Sequence, residues 1–238
     1  MYGWRARLGV LVPSANIATE PETNLLTPKG VSVHYHRTEF RGGGLKELEK
    51  AETGMLDAIE PLMHVQPSAI AISGTALSFV GGPESDKKLI KEIQKKYGDI
   101  PATTTSTAVI EALNRFDAKK VVIATPYMEE VARAAAKFVE GNGIEVLGFN
   151  WRNKKTSLEI SDISLAELPE MVEEVEVPES DVILISCTGL HTIEAIESLE
   201  KKFQKPVVTS NQATMWHLLR LTKVSDKIEG YGQLFKQS

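Results

Sequence analysis

A chain of 238 residues, 42% hydrophobic, 25% charged and 6% aromatic, has the make-up of an ordinary globular protein and room for one large or two small domains. The formal net charge is −5, and the charges are dispersed with no basic block or stripe, which sets nucleic-acid binding aside. The first apolar run is cut after a few residues by Pro13, too short for a secretory signal or a spanning helix, so no membrane partner and a cytoplasmic location are expected. The single cysteine, Cys187, forbids an internal disulfide, agrees with a reducing compartment and excludes multi-cysteine metal sites.

Along the chain, short Val/Ile-rich runs alternate with longer stretches of helical period. Strands are predicted at 7–12, 31–35, 69–73, 121–125, 145–149, 182–186 and 206–209, with helices at 44–63, 85–97, 106–116, 128–141 and 191–203. Apolar strands with helices between them imply parallel sheets covered on both faces, an α/β architecture. The Gly42-Gly43-Gly44 run reads as a mobile loop, a candidate to lie over the cleft, rather than a phosphate loop.

The chain also repeats itself. GVLVPSAN at 9–16 is echoed by VVIATPYM at 121–128, and AIAISGTAL at 69–77 by DVILISCTGL at 181–190. Pro13 then pairs with Pro126 and Gly74 with Cys187, and both offsets are 113 residues (126 − 13 and 187 − 74). A third echo, IPATTTSTA at 100–108 with KPVVTSNQA at 205–213, has an offset of 105 (206 − 101). Three ordered matches imply two pseudosymmetric halves, each a mainly parallel sheet flanked by helices, with the site in the cleft between them. The first half is expected over 1–112, completed by 213–238, and the second over 113–212.

In each half, small or hydroxyl residues follow a buried strand: Ser73-Gly74-Thr75 in the first, Ser186-Cys187-Thr188-Gly189 in the second. If helices begin there, their free N–H groups suit carboxylate or enolate oxygens, although Ser, Thr and Gly also serve as plain caps and turns. A helix start beside Cys187 favours thiolate by about 0.3–1 kcal/mol, up to about 2, a shift of about one pKa unit at most, so the thiol stays largely protonated at neutral pH and suits a general acid. The alternative is a buried, inert cysteine. Tyr127, Ser14 and Asn16 follow the paired strand ends and are placed at the same cleft, with turn or surface roles as alternatives. His191, four residues after Cys187, shares its face only if a helix has begun. Glu20, Glu22, His34 and His36 form no spaced metal-ligand set, and no cofactor is expected.

PSAN at 13–16, SGTALSF at 73–79, TPY at 125–127 and SCTGLHT at 186–192 resemble the aspartate/glutamate racemase superfamily, specifically its maleate isomerase and arylmalonate decarboxylase branch. The resemblance covers nearly the whole chain and implies two α/β halves, usually with one cysteine from each facing across a cleft. Gly74 occupies the first cysteine position, as in the arylmalonate decarboxylases. Racemases need both thiols and maleate isomerases need the first, so the resemblance implies a cofactor-free decarboxylase of a small substituted malonate. Its single catalytic residue would be Cys187, protonating an enediolate. The implied carboxylate site comprises Pro13, Ser14, Asn16, Gly74, Thr75, Tyr127, Thr188 and Gly189. Ala76 departs from the hydroxyl residue expected there, and Ser157 from the asparagine of the isomerases. The alternatives are an isomerase or racemase of the same superfamily and a non-catalytic carboxylate-binding protein. The partner in each case is a small carboxylate, and homo-oligomerisation is left open.

Overall fold

The computed structural model describes residues 2–52, 54–82 and 84–237. Among the described residues, eight strands form two four-stranded, wholly parallel sheets. The first contains β1 (Ala6–Pro13), β2 (Val31–Thr38), β3 (Ala69–Ile72) and β4 (Ala102–Thr104), and the second β5 (Lys120–Ala124), β6 (Glu145–Phe149), β7 (Val182–Ile185) and β8 (Val207–Thr209). Their spatial orders, β2-β1-β3-β4 and β6-β5-β7-β8, are the same path drawn twice.

The strand registers carry the sequence offsets into space. Leu8 pairs with Ala69 in the first sheet and Val121 with Val182 in the second, each partner displaced by 113 residues. Ile70 pairs with Ala102 and Ile183 with Val207, the second partner displaced by 105. The α/β architecture with two related halves therefore stands as expected. β3 and β7 are buried along their whole length, which is why their sequences are continuous apolar runs rather than alternating ones.

The helices are α1 (Thr19–Leu25), α2 (Leu45–Glu52), α3 (Met55–Ala58), α4 (Glu60–Met63), α5 (Thr75–Phe79), α6 (Ser85–Tyr97), α7 (Thr105–Arg115), α8 (Glu129–Gly141), α9 (Ser157–Ser161), α10 (Leu168–Glu173), α11 (Ile196–Phe203) and α12 (Ser210–Leu221). The single helix expected over 44–63 is instead α2, α3 and α4. Gly54 precedes α3 and Pro61 sits in the first turn of α4, where a missing N–H is tolerated; Thr53, within the expected helix, lies outside the described residues. Helices α7 and α12 begin directly after the paired strands β4 and β8 and pack on each other between the sheets. α12 also contacts α1, β3 and β4, so a helix that follows the last strand of the second sheet rests on the first.

Among the described residues no helix is long and apolar enough to cross a membrane, and no group of three His, Cys, Asp or Glu side chains is placed to hold a metal ion.

Candidate active site

The cleft lies at the carboxyl ends of β1, β3, β5 and β7. Pro13, Asn16, Gly74, Thr75, Tyr127, Cys187, Thr188 and Gly189 all line it. Ser14 does not. Its hydroxyl donates to the Phe40 carbonyl (3.2 Å) and accepts from the Phe40 N–H (3.1 Å), so it fixes the chain that brings Phe40 to the cleft.

Gly74 ends the turn after β3 with φ +131°, in the region that favours glycine, and a Cβ there would lie 2.8 Å from Leu77 Cδ1. That turn delivers Thr75 to the first position of α5, whose N-terminus has no capping side chain. The Thr75 hydroxyl pairs with Ser210 Oγ at the start of α12 (2.9 Å). The Ser106 hydroxyl donates to the Thr75 carbonyl (3.0 Å).

On the opposite wall no helix begins at Cys187. A turn over 188–190 follows β7, a 3-10 helix forms at Ile193–Ala195, and α11 starts only at Ile196. The expected helix-terminus stabilisation of thiolate is therefore absent, as is the shared helical face with His191. Cys187 is 7% exposed, and burial pushes its thiol up to about 11 despite the Gly189 N–H and the Tyr127 hydroxyl. The Gly189 N–H donates to Cys187 Sγ (3.3 Å). Burial, rather than a helix start, is what acts on this thiol, and it favours the protonated form.

Tyr127 is almost wholly buried. Its hydroxyl lies close to Ser186, Thr75 and Cys187 but has no well-aligned hydrogen bond to any of them, and burial holds its pKa well above the usual tyrosine value. A buried hydroxyl without a partner is costly. One that borders a cleft beside uncapped N–H groups is placed to donate to a bound anion.

The turn after Cys187 is held from the other half of the molecule. Asn16 Nδ2 donates to the Thr188 carbonyl (3.0 Å) and to its hydroxyl (3.2 Å), while Asn16 Oδ1 accepts from the N–H groups of Ala18 and Thr19 (both 2.9 Å). Asn16 is itself fixed by Arg37, which donates to the carbonyls of Ser14 and Asn16 (2.9 Å each). Nothing in the sequence singled out Arg37.

The glycine run is pinned rather than loose. Gly42 forms an antiparallel bridge with Thr156, the Ser157 N–H donates to the Arg41 carbonyl (3.2 Å), and the Leu45 N–H reaches Glu130 Oε1 (3.3 Å). A Cβ at Gly42 would lie 2.7 Å from the Lys155 carbonyl oxygen, so this close approach needs glycine. The strap joins the halves at the edge of the cleft. It brings in lining residues that sequence reasoning missed: Phe40 and Leu48 from the first half, Lys154, Lys155 and Ile160 from the second. Among the residues whose side chains are described, two lysines and no Asp or Glu line the cleft. Ala76 and Ser157 also line it.

With the site in view, comparison with known proteins is informative. A family model described as arylmalonate decarboxylase matches residues 8–235. The chain belongs to this family. It is 31% identical over 188 residues to the arylmalonate decarboxylase of Bordetella bronchiseptica, covering 77% of this chain and 78% of that one. It is 25% identical over 240 residues to the maleate isomerase of Pseudomonas putida, covering 96% of each. The crystal structure of an arylmalonate decarboxylase superposes with a TM-score of 0.82 at 26% identity, over 98% of this chain and 100% of that one. A Nocardia farcinica maleate cis-trans isomerase carrying a covalently bound succinylcysteine intermediate superposes with a TM-score of 0.93 at 21% identity, over 98% of both chains. Family members are thus enzymes of two kinds, decarboxylase and isomerase, on one fold.

Proposed function

We propose that the protein is a cofactor-independent decarboxylase of a small substituted malonate, with Cys187 as its proton donor. The observation that carries this reading is the pairing of Cys187 and Gly74 on one cleft. A thiol stands on one side, and a residue with no side chain stands at the repeat-related position.

The chemistry follows from the groups present. One substrate carboxylate binds at the N-terminus of α5 and the turn at Thr188, accepting a hydrogen bond from the free Tyr127 hydroxyl. The other carboxylate leaves as carbon dioxide. The C–C bond breaks with its electron pair passing into the retained carboxylate, giving a planar enediolate. Preorganised donors aimed at the retained oxygens stabilise the second negative charge as it develops. The Cys187 S–H then donates its proton to the carbanionic carbon, forming the new C–H bond, and the thiolate recovers a proton from solvent. A thiol pushed up to about 11 is a sufficient acid for so basic a carbon and keeps its proton between turnovers. Phe40, Leu48, Leu77 and Ile160 supply an apolar wall for the substrate's side group. Lys154 and Lys155 on the lining bias the cleft toward anions.

The test is a panel of substituted malonates in deuterated water. The proposal predicts release of carbon dioxide and one deuterium placed on a single face of the product. Isomerisation of maleate with no carbon dioxide from any malonate would replace it with the isomerase reading. Thermal stabilisation by the panel without turnover would make the protein a binder.

A further inference from the structure

Behind the Cys187 turn lies a buried carboxylate that the reaction above does not use. Glu22, on α1, is 5% exposed and projects from the first half into the segment that follows the thiol. Its Oε1 accepts from the backbone N–H groups of Thr192 and Ile193, the latter at 3.0 Å. Its Oε2 accepts from Asn211 Nδ2 at 2.7 Å. The Thr192 hydroxyl lies 3.5 Å from both oxygens.

Each of these backbone and amide partners is a donor, so an acceptor-only group completes the set. Asn211 extends the linkage: the same Nδ2 donates to the Thr188 carbonyl (3.0 Å), and Asn211 Oδ1 accepts from the Thr19 hydroxyl (3.1 Å). Glu22 therefore holds the far end of the 187–193 segment directly and the near end through Asn211. We propose that Glu22 is a positioning residue of the active site, an ionised clamp from the first half that sets the orientation of the second-half turn bearing Cys187 and Thr188. This rests on the reading of Cys187 as proton donor and adds a residue to it.

The clamp has an electrostatic consequence. The charged and titratable groups around the pair are the Tyr127 hydroxyl against Cys187, His191 beside Glu22, and Lys154 and Lys155 on the cleft wall. When ionised, as its all-donor surroundings favour, Glu22 places a negative charge behind the thiol, and that charge disfavours thiolate. Burial raises the pKa of Glu22 itself, and the N–H and amide donors oppose that rise. The clamp thus orients the proton donor and helps to keep its proton on.

The experiment uses the full chain with Glu22→Gln, Glu22→Asp and Asn211→Ala. The pH dependence of Cys187 alkylation by iodoacetamide, read by mass spectrometry, needs no substrate and reports the lone thiol without ambiguity. Glu22→Gln should move the alkylation midpoint down by at least about half a pH unit and lower kcat on the best malonate at least about tenfold, with KM little changed. Glu22→Asp keeps the charge but is too short to span both ends, so it should retain the midpoint yet lose kcat. If Glu22→Gln does not fold, Glu22→Asp and Asn211→Ala carry the test, each with reduced kcat at near-constant KM. Wild-type alkylation profiles and wild-type kcat in the folded variants would overturn the clamp. If the wild type turns over no malonate, the decarboxylase reading fails on its own, and the alkylation profiles still decide the role of Glu22.

Discussion

Asn16 and Thr188 are joined across the cleft by a hydrogen bond of 3.0 Å from the Asn16 side-chain amide to the Thr188 carbonyl, so the residue after the thiol is held by the opposite half of the molecule. All four hydrogen-bonding positions of the Asn16 amide that the structure uses are directed at backbone or at Thr188, which leaves it a fastener rather than a free ligand group. Replacing Asn16 by Ala strands buried groups on both sides, at a cost of about 1–3 kcal/mol. The melting temperature should fall by several degrees and turnover should fall with it. A variant as stable and as active as wild type would show that the two halves do not depend on this link.

Tyr127 gives the opposite pattern. Its hydroxyl has no partner in the free protein, while its ring packs edge-on against Phe79 at 6.2 Å. Tyr127→Phe keeps the ring and removes an unsatisfied buried group, so stability should be unchanged or slightly higher. Loss of one donor to the developing charge should lower kcat by about 10²–10³. Calorimetry and steady-state kinetics on one preparation separate the two effects, and a destabilised but fully active variant is the outcome this account does not allow.

Gly74→Cys would place a second thiol on the cleft. The positive φ of Gly74 and the 2.8 Å approach to Leu77 Cδ1 make it strained, with a stability loss of about 1–3 kcal/mol expected. If the folded variant presents that thiol to the substrate, the product's α-hydrogen should exchange from both faces in deuterated water and optical purity should decay. Strict retention of configuration would count against the two positions facing each other.

His217 should give the fold an acid-sensitive step. Burial lowers its pKa to about 4 from the ordinary 6.5, and Nδ1 lies 2.9 Å from the Thr103 hydroxyl. The folded state binds a proton less readily than the unfolded chain. Its contribution is therefore present above about pH 6.5 and is lost as pH falls toward 4, roughly 1–3 kcal/mol in all. Melting temperatures from pH 7 to 4 should fall more steeply for the wild type than for His217→Gln; parallel curves would assign the acid sensitivity elsewhere.

The repeat was legible because duplicated strands keep their ends. Pro13 with Pro126 and Gly74 with Cys187 gave the offset that the registers of β1–β3 and β5–β7 reproduce. Elements without an apolar period were not legible. α1 buries Thr19, Glu22 and Thr23 rather than a hydrophobic stripe, because its inner face meets the polar Thr188–Thr192 segment. α12 is buried on nearly every side and so shows little helical contrast. β4 is only three residues long. At the site, the residues legible in the sequence are mostly those tied to strand ends, whereas Phe40, Leu48, Lys154, Lys155 and Ile160 reach the cleft through the Gly42 strap and the 154–160 segment, whose approach depends on a bridge between distant segments. The absence of a helix at Cys187 was also hidden, because SCTGL serves a turn as readily as a helix start.

The most direct test of the central claim is the rate of carbon dioxide release by Cys187→Ala on the best malonate, set beside the wild type in deuterated water. The account predicts that the wild type labels one face of the product with one deuterium. Its rate should hold through neutral pH and fall only as pH rises toward about 11, where the thiol loses its proton. Cys187→Ala should fold normally and lose turnover by at least about 10³, the upper part of what a proton donor contributes. Full activity in that variant, with deuterium still delivered to one face, would contradict it.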